Sequence, residues 1–277
     1  MAAHDVDVLI FGCGYLGRRA AARWLAAGKT VAALTRRNAD ALSAQGITPI
    51  LGDVLEPATL RSLPRAGTVL YAIGLDRSAG RTMREVYVEG LSHVLESLPQ
   101  PDRFLHVSST SVYGQINGSW VNEDAPTEPV EDSGKVVLEA ERTLRAKLLE
   151  AIVLRFAGIY GPDRLLRKQA LLKGEPLVGD CEKWLNLIHV ADGVDAILAA
   201  EAKEPLGATF NIADGEPVSR REFYTHWARM LDAPPAQFEH RAEPGAANRR
   251  IANRAARERL GWVPGHPSYR VGLEGLG

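Results

Sequence analysis

Short apolar runs alternate along this chain with longer stretches in which apolar positions recur every three or four residues. The runs Val6–Phe11, Thr30–Leu34, Thr48–Leu51, Val69–Ala72, Phe104–Val107, Ala151–Phe156 and Ala208–Ile212 carry few polar positions. Near-continuous apolar runs of this kind predict strands buried on both faces. Between them, Leu16–Ala27, Ala39–Gln45, Arg81–Leu98, Gly134–Glu150 and Val190–Ala202 predict helices. Strands and helices in alternation, joined by right-handed crossovers, predict an α/β fold with a doubly wound parallel sheet.

The alternation breaks after Gly161, where short interrupted elements and many turn residues begin. The expected division is a core of 1–163, to which 187–214 returns, and a smaller lobe of 164–186 and 215–277. No repeat, low-complexity tract or flexible linker interrupts this pattern. With 277 residues, 45% of them hydrophobic, the chain can bury a sufficient core without disulfides or a structural metal. A net charge of −1 with mixed signs gives no electrostatic case for nucleic acid or an anionic membrane. Cys13 and Cys181 form no paired ligand set, and no metal site is expected. Met1–Asp7 has no basic segment leading into a long apolar one, and Val6–Phe11 is too short for a signal peptide or membrane span. The expectation is a cytoplasmic monomer or homodimer acting on a small molecule.

Val6–Phe11 runs directly into Gly12-Cys-Gly-Tyr-Leu-Gly17, and a helix follows. A G-x-G-x-x-G turn between strand and helix is the context of a dinucleotide site in a Rossmann sheet. Gly12 permits the tight turn, Gly14 lets the backbone approach a pyrophosphate, and Gly17 lets the helix pack close to the strand. Tyr15 and Leu16 open that helix, whose free N–H groups and partial positive charge suit an anion. The second strand ends Leu34-Thr-Arg-Arg37, without the acidic residue that receives the ribose 2′-OH of NAD. Arg36 and Arg37 instead suit a 2′-phosphate, which accepts forked hydrogen bonds from guanidinium groups. The cofactor expected is therefore NADP in preference to NAD. Asp53, after the third strand and beside Val54, either accepts from the adenine amine or caps a helix. Ala72-Ile73-Gly74 ends the fourth strand, where the backbone is expected to lie along the cofactor.

Further segments follow in order. They are Ser108-Ser-Thr-Ser-Val-Tyr-Gly114, Gly134-Lys135 with Glu139, and Leu154-Arg-Phe-Ala-Gly-Ile-Tyr-Gly-Pro162. Leu187-Ile-His-Val-Ala-Asp192, Phe210-Asn-Ile-Ala-Asp214 and Leu260-Gly-Trp-Val-Pro264 complete the set. With the glycine turn, these make the chain resemble the extended short-chain dehydrogenase/reductase superfamily, the NAD-dependent epimerase/dehydratase group, over nearly its whole length. The resemblance implies an N-terminal Rossmann core and a C-terminal substrate lobe. It also implies catalysis by Ser or Thr, Tyr and Lys, with Tyr four residues before Lys on one helix face. There the lysine holds the nicotinamide ribose, and the tyrosine exchanges a proton with the substrate oxygen while nicotinamide exchanges hydride. Ser109 falls on the Ser/Thr position and Lys135 on the lysine. The tyrosine position holds Glu131. Glu131 is read first as a solvent-facing residue near a helix start; Glu131 itself and Tyr113 are the candidate replacement donors, although the matching tyrosine of the V-Y-G segment is not catalytic in the family. Tyr87 stands where the family usually carries Asn.

Other residues have bland readings beside functional ones. His189 fits a structural junction and His106 a strand-end or core position. Asp76, Arg77, Ser78 and Arg81 follow the fourth strand, either meeting an anionic substrate or forming a solvated loop. Arg249, Arg250 and Arg254 are a surface charge run or phosphate contacts. Trp184, Trp227 and Trp262 are expected to pack the small lobe. Two functions remain open. One is an NADP(H)-dependent enzyme on a carbonyl, hydroxyl or sugar-nucleotide substrate. The other is a catalytically silent nucleotide-binding sensor or partner-binding protein.

Overall fold

Each of the seven apolar runs becomes a strand of one sheet in the computed structural model, which describes residues 4–165, 167–203, 206–241 and 245–276. Residues 1–3 of the segment read for a leader, and 166, 242–244 and 277 of the small lobe, lie outside the described residues, as do 204–205. The first five strands are β1 (Val6–Phe11), β2 (Val31–Thr35), β3 (Thr48–Leu51), β4 (Ala66–Tyr71) and β5 (Arg103–Ser109). The sheet order is Thr209–Ile212, Ile152–Phe156, β5, β4, β1, β2, β3. β1 pairs in parallel with both β2 and β4, β2 with β3, and β4 with β5. The order thus reverses at β1, and ligands in such sheets bind beyond the strand ends at that reversal. The α/β, doubly wound architecture is the one expected.

The chain divides into two compact units, of 1–109, 132–155 and 197–209, and of 110–131, 156–196 and 210–277. This division falls differently from the one read from the sequence, 1–163 with 187–214 against 164–186 and 215–277. Strand pairing is the reason. Trp120–Val121 pairs with Arg250–Ile251, and Gly158–Tyr160 pairs with Leu187–His189, so 110–131 and 156–163 join the second unit. In that unit Tyr160, Leu187, Phe223, Trp227 and Tyr269 build a separate apolar core.

In the first unit the rings of Phe11, Tyr71 and Phe104 lie 5.9 and 6.2 Å apart in sequence at the centre of the core. The helices here are α1 (Tyr15–Ala26), α2 (Ala39–Ser43), α3 (Gly90–Ser97) and α4 (Asp132–Lys147). The continuous helix expected over Arg81–Leu98 is instead a π-helical turn, Glu85–Glu89, leading into α3. The Gly90 N–H reaches back five residues to the Glu85 carbonyl, and the wider turn brings Arg84 within 2.7 Å of Glu89, also five residues on.

Two buried carboxylates of this unit are satisfied by side-chain donors. Glu141 receives two bonds from Arg155, at 3.0 and 2.7 Å, and one from the Ser108 hydroxyl at 2.5 Å. Glu201 receives Trp24 Nε1 at 2.7 Å, Lys29 Nζ at 2.8 Å and Thr68 Oγ1 at 2.9 Å. His106 lies inside β5 with its ring 5.6 Å from that of Tyr71, a core position. Burial pushes its imidazole from 6.5 down to about 4, against the opposing pull of Glu141. A histidine depressed by folding adds stability that is present above pH 6.5 and lost as pH falls towards 4. Urea midpoints should therefore drop between pH 7 and pH 5 in the wild type and drop less in His106→Leu. Equal drops would assign the acid sensitivity elsewhere.

Candidate cofactor site

All the candidate cofactor residues lie in the first unit. The glycine turn separates three roles. Gly12 has φ +92°, and a Cβ there would come within 2.4 Å of the Ala72 carbonyl carbon and oxygen. Gly17 is equally crowded, since its Cβ would meet the Gly12 carbonyl oxygen at 2.5 Å. Gly14 is the opposite case: a Cβ would meet nothing within 4 Å. Two glycines thus close the turn against β4 and α1, and the third faces open space. α1 begins at Tyr15 with no side-chain cap, which leaves its first N–H groups for an incoming anion. Leu16 is buried beneath, and the Arg19 guanidinium covers the Tyr15 ring at 4.1 Å. Burial pushes the Cys13 thiol up to about 11, so it stays protonated at neutral pH. A pyrophosphate fits this cradle.

The Ala72 N–H donates to the Phe11 carbonyl at 2.7 Å, which holds Ala72-Ile73-Gly74 alongside the turn. Gly74 also faces open space. At the end of β2, Thr35 Oγ1 accepts from the Asn38 N–H, and Arg36 and Arg37 are exposed. Arg36 Nη2 sits 3.0 Å from Asp76 Oδ2, a partner 40 residues away that no local pattern indicates. Asp76 is tied down first by the Ser78 hydroxyl and N–H, and Arg36 adds to the lowering of its pKa. Asp53 turns into its own loop, where Oδ1 accepts from the Leu55 N–H at 3.0 Å. Val54 is buried, and a Cβ on Gly90 would meet its Cγ2 at 2.7 Å.

Among the catalytic candidates, Ser109 ends β5 with its side chain on the strand face opposite Ser108, the partner of Glu141. Lys135 lies in the first turn of α4, exposed, with Nζ 2.9 Å from Asp132 Oδ1. Glu131 is not on this helix. It sits exposed in the bend directly before Asp132, a solvent-facing residue at the helix start. Tyr113, in the second unit, is fully buried and donates its hydroxyl to Asn211 Oδ1 at 2.9 Å. It is a core residue, and its hydroxyl has no proton to spare for a substrate.

The remaining candidates of the second unit are placed as follows. Arg249 donates to the Thr110 carbonyl at 2.7 Å, and burial lowers its pKa against the pull of Glu131 and Tyr113. Arg250 lies between the rings of Trp120 and Trp184, at 5.3 and 5.1 Å, and Arg254 pairs with Glu258 on the surface. Trp227 is wholly buried, and Trp262 donates to the Asp192 carbonyl. His189, Asp192 and His266 bring ligand-type atoms within 4.8 Å of one another. The Asp192 carboxylate is already engaged there by the N–H groups of Gly265 and His266.

Residues 8–213 match the model of the NAD dependent epimerase/dehydratase family. The chain belongs to this family. Protein YeeZ of Escherichia coli strain K12 is 32% identical over 164 residues, which is 58% of this chain and 58% of that protein. This chain therefore spans little more than half the length of that relative. The dTDP-6-deoxy-L-talose 4-dehydrogenase (NAD(P)(+)) of Kitasatospora kifunensis is 25% identical, covering 91% of this chain and 89% of its own. Among solved structures, MoeE5 in complex with UDP-glucose and NAD superposes with a TM-score of 0.80 at 25% identity, over 97% of this chain and 96% of that one. Among the described residues, no helix is long and apolar enough to cross a membrane.

For this epimerase/dehydratase family member, Gly14 and Gly12 separate binding from folding. Gly14→Val should leave circular dichroism and thermal unfolding unchanged while abolishing nucleotide binding by calorimetry, because its side chain would fill the open cradle. Gly12→Ala should lower the unfolding temperature, because its Cβ has only backbone to displace. Full binding by Gly14→Val would move the site elsewhere.

Proposed function

We propose that this chain is an NADP(H)-dependent oxidoreductase or epimerase acting at a carbonyl or hydroxyl carbon of a small substrate, with sugar nucleotides the favoured class. The observation that carries this reading is the open cradle at Gly14 beside an uncapped helix start, with Arg36 and Arg37 at the next strand end. The substrate class is supported by MoeE5, described with UDP-glucose and NAD, and by the Kitasatospora 4-dehydrogenase. A cytoplasmic location accords with Cys13 and Cys181 being free thiols.

When bound, the nicotinamide supplies or takes up a hydride. The N–H groups at the start of α1 hold the pyrophosphate, and Arg36 and Arg37 the 2′-phosphate. An exposed pair such as Arg36–Asp76 contributes about 0–1 kcal/mol, whereas a charged hydrogen bond to phosphate contributes about 1.5–3 kcal/mol. The phosphate therefore wins Arg36. Lys135, in an exposed pair with Asp132, would hold the ribose hydroxyls, and the Ser109 hydroxyl would orient the substrate oxygen. A second reading, a catalytically silent nucleotide sensor, is favoured by Glu131 at the tyrosine position and by the commitment of the Tyr113 hydroxyl to Asn211.

Two measurements test this. In fluorescence titrations NADPH should bind more tightly than NADH, and Arg36→Ala should weaken NADPH by roughly ten- to a hundredfold with little change for NADH. Tighter NADH would overturn the assignment of NADP. In a reductive assay Ser109→Ala should cost more than about tenfold in rate, and Glu131→Gln less, since a general acid contributes about 10²–10⁴-fold. A hundredfold loss in Glu131→Gln with cofactor affinity intact would make that carboxyl the proton donor. A gain of turnover in Glu131→Tyr would favour the silent protein.

A further inference from the structure

Glu131 is an exposed carboxyl in the bend before α4 and the Tyr113 hydroxyl is engaged by Asn211, which turns attention to the other tyrosines. The first unit, which holds Ser109 and Lys135, has three tyrosines among its described residues. Tyr71 is buried at 2% exposure, and burial pushes its hydroxyl far above the usual range. Tyr15 lies at the pyrophosphate end of the cradle with its ring under Arg19. Tyr87 differs from both. It is half-buried, and its hydroxyl accepts the Leu75 N–H at 3.1 Å. Among the described residues its own proton has no acceptor.

The location is specific. Leu75 directly follows Gly74, whose Cβ direction is open, so the hydroxyl stands at the carboxyl end of β4 beside Ala72-Ile73-Gly74. Tyr87 is the central residue of the π-helical turn Glu85–Glu89, a rare element found disproportionately at functional sites. The turn lies against α4, where Arg84 bonds both Glu89 and Glu139 at 2.7 Å. Glu139 lies one turn beyond Lys135 on the same helix face. Tyr87 therefore rides on a segment that lies against the helix carrying Lys135.

We propose that Tyr87 is the catalytic proton donor of this protein, a phenol delivered by the π turn in place of the one missing at position 131. The inference rests on the NADP(H)-dependent reading above. In the reductive direction a bound reduced nicotinamide would supply hydride to the substrate carbonyl carbon. The C=O π pair then forms a bond to the Tyr87 proton, and the phenolate left behind recovers a proton from solvent. The nucleotide is oxidised and the carbonyl reduced. The Leu75 N–H remains on the phenolate oxygen throughout and stabilises its charge.

The test uses full-length protein carrying ring-¹³C tyrosine, with Tyr87→Phe to assign the resonance. Addition of NADP⁺ should move the Tyr87 resonance, and a resonance unmoved at saturation would overturn the proposal. Turnover of NADPH with 9,10-phenanthrenequinone as carbonyl probe should fall a hundredfold or more in Tyr87→Phe, with the NADPH Kd within threefold of wild type. A merely structural tyrosine would raise the Kd through the loosened Leu75 loop and spare kcat, and that result also overturns the proposal. If the wild type does not turn the probe over, the resonance alone decides. Failure of either nucleotide to bind the wild type in fluorescence titration would overturn the cofactor reading itself, and this inference with it.

Discussion

Glu141 is buried in the first unit with its carboxylate gripped by both ends of the Arg155 guanidinium and by the Ser108 hydroxyl. A carboxylate taken out of water survives there only because its lone pairs are met. Removing one partner of such a pair typically costs about 3–5 kcal/mol. The three residues come from α4, from strand Ile152–Phe156 and from β5, so satisfying one charge fixes three elements at once. Ser109 follows Ser108, and Lys135 lies under two turns before Glu141. The groups assigned to the reaction thus inherit their spacing from a neighbour that takes no part in it.

Much of this was legible because a parallel sheet buried on both faces writes itself as apolar runs. The glycine turn was legible because Gly12 and Gly17 cannot carry a Cβ and Gly14 has reason not to. Other features left no local trace. The π turn shifts the backbone hydrogen bond from four residues to five, which periodicity alone reads as an ordinary helix. The partnership of Arg36 with Asp76 spans 40 residues and joins loops after two different strands. Tyr113 was a candidate donor by its segment alone, yet its hydroxyl is engaged by Asn211, 98 residues away. The unit boundaries were hidden for a related reason. Two-residue strands such as Trp120–Val121 choose their partners by tertiary position rather than by pattern.

Glu131 stands in a setting that bears on more than its own side chain. A residue in the bend before α4 is not held by helical hydrogen bonds, and a carboxylate there sits in the field of Arg249 within the second unit. Position 131 therefore serves that unit's charge balance. The family fold accommodates such a change because its cofactor cradle is built from backbone and glycine, which a substitution at position 131 leaves untouched.

Glu201 carries a consequence for how the chain assembles. Its carboxylate holds Trp24, Lys29 and Thr68, which lie 177, 172 and 133 residues earlier in the chain. A nascent polypeptide leaving the ribosome would expose the first 109 residues long before Glu201 emerges to neutralise Lys29 and cover the indole of Trp24. Contacts so distant in sequence slow folding, and the waiting segment shows apolar surface meanwhile. The sheet that binds the nucleotide is thus closed by a piece of chain synthesised near the end.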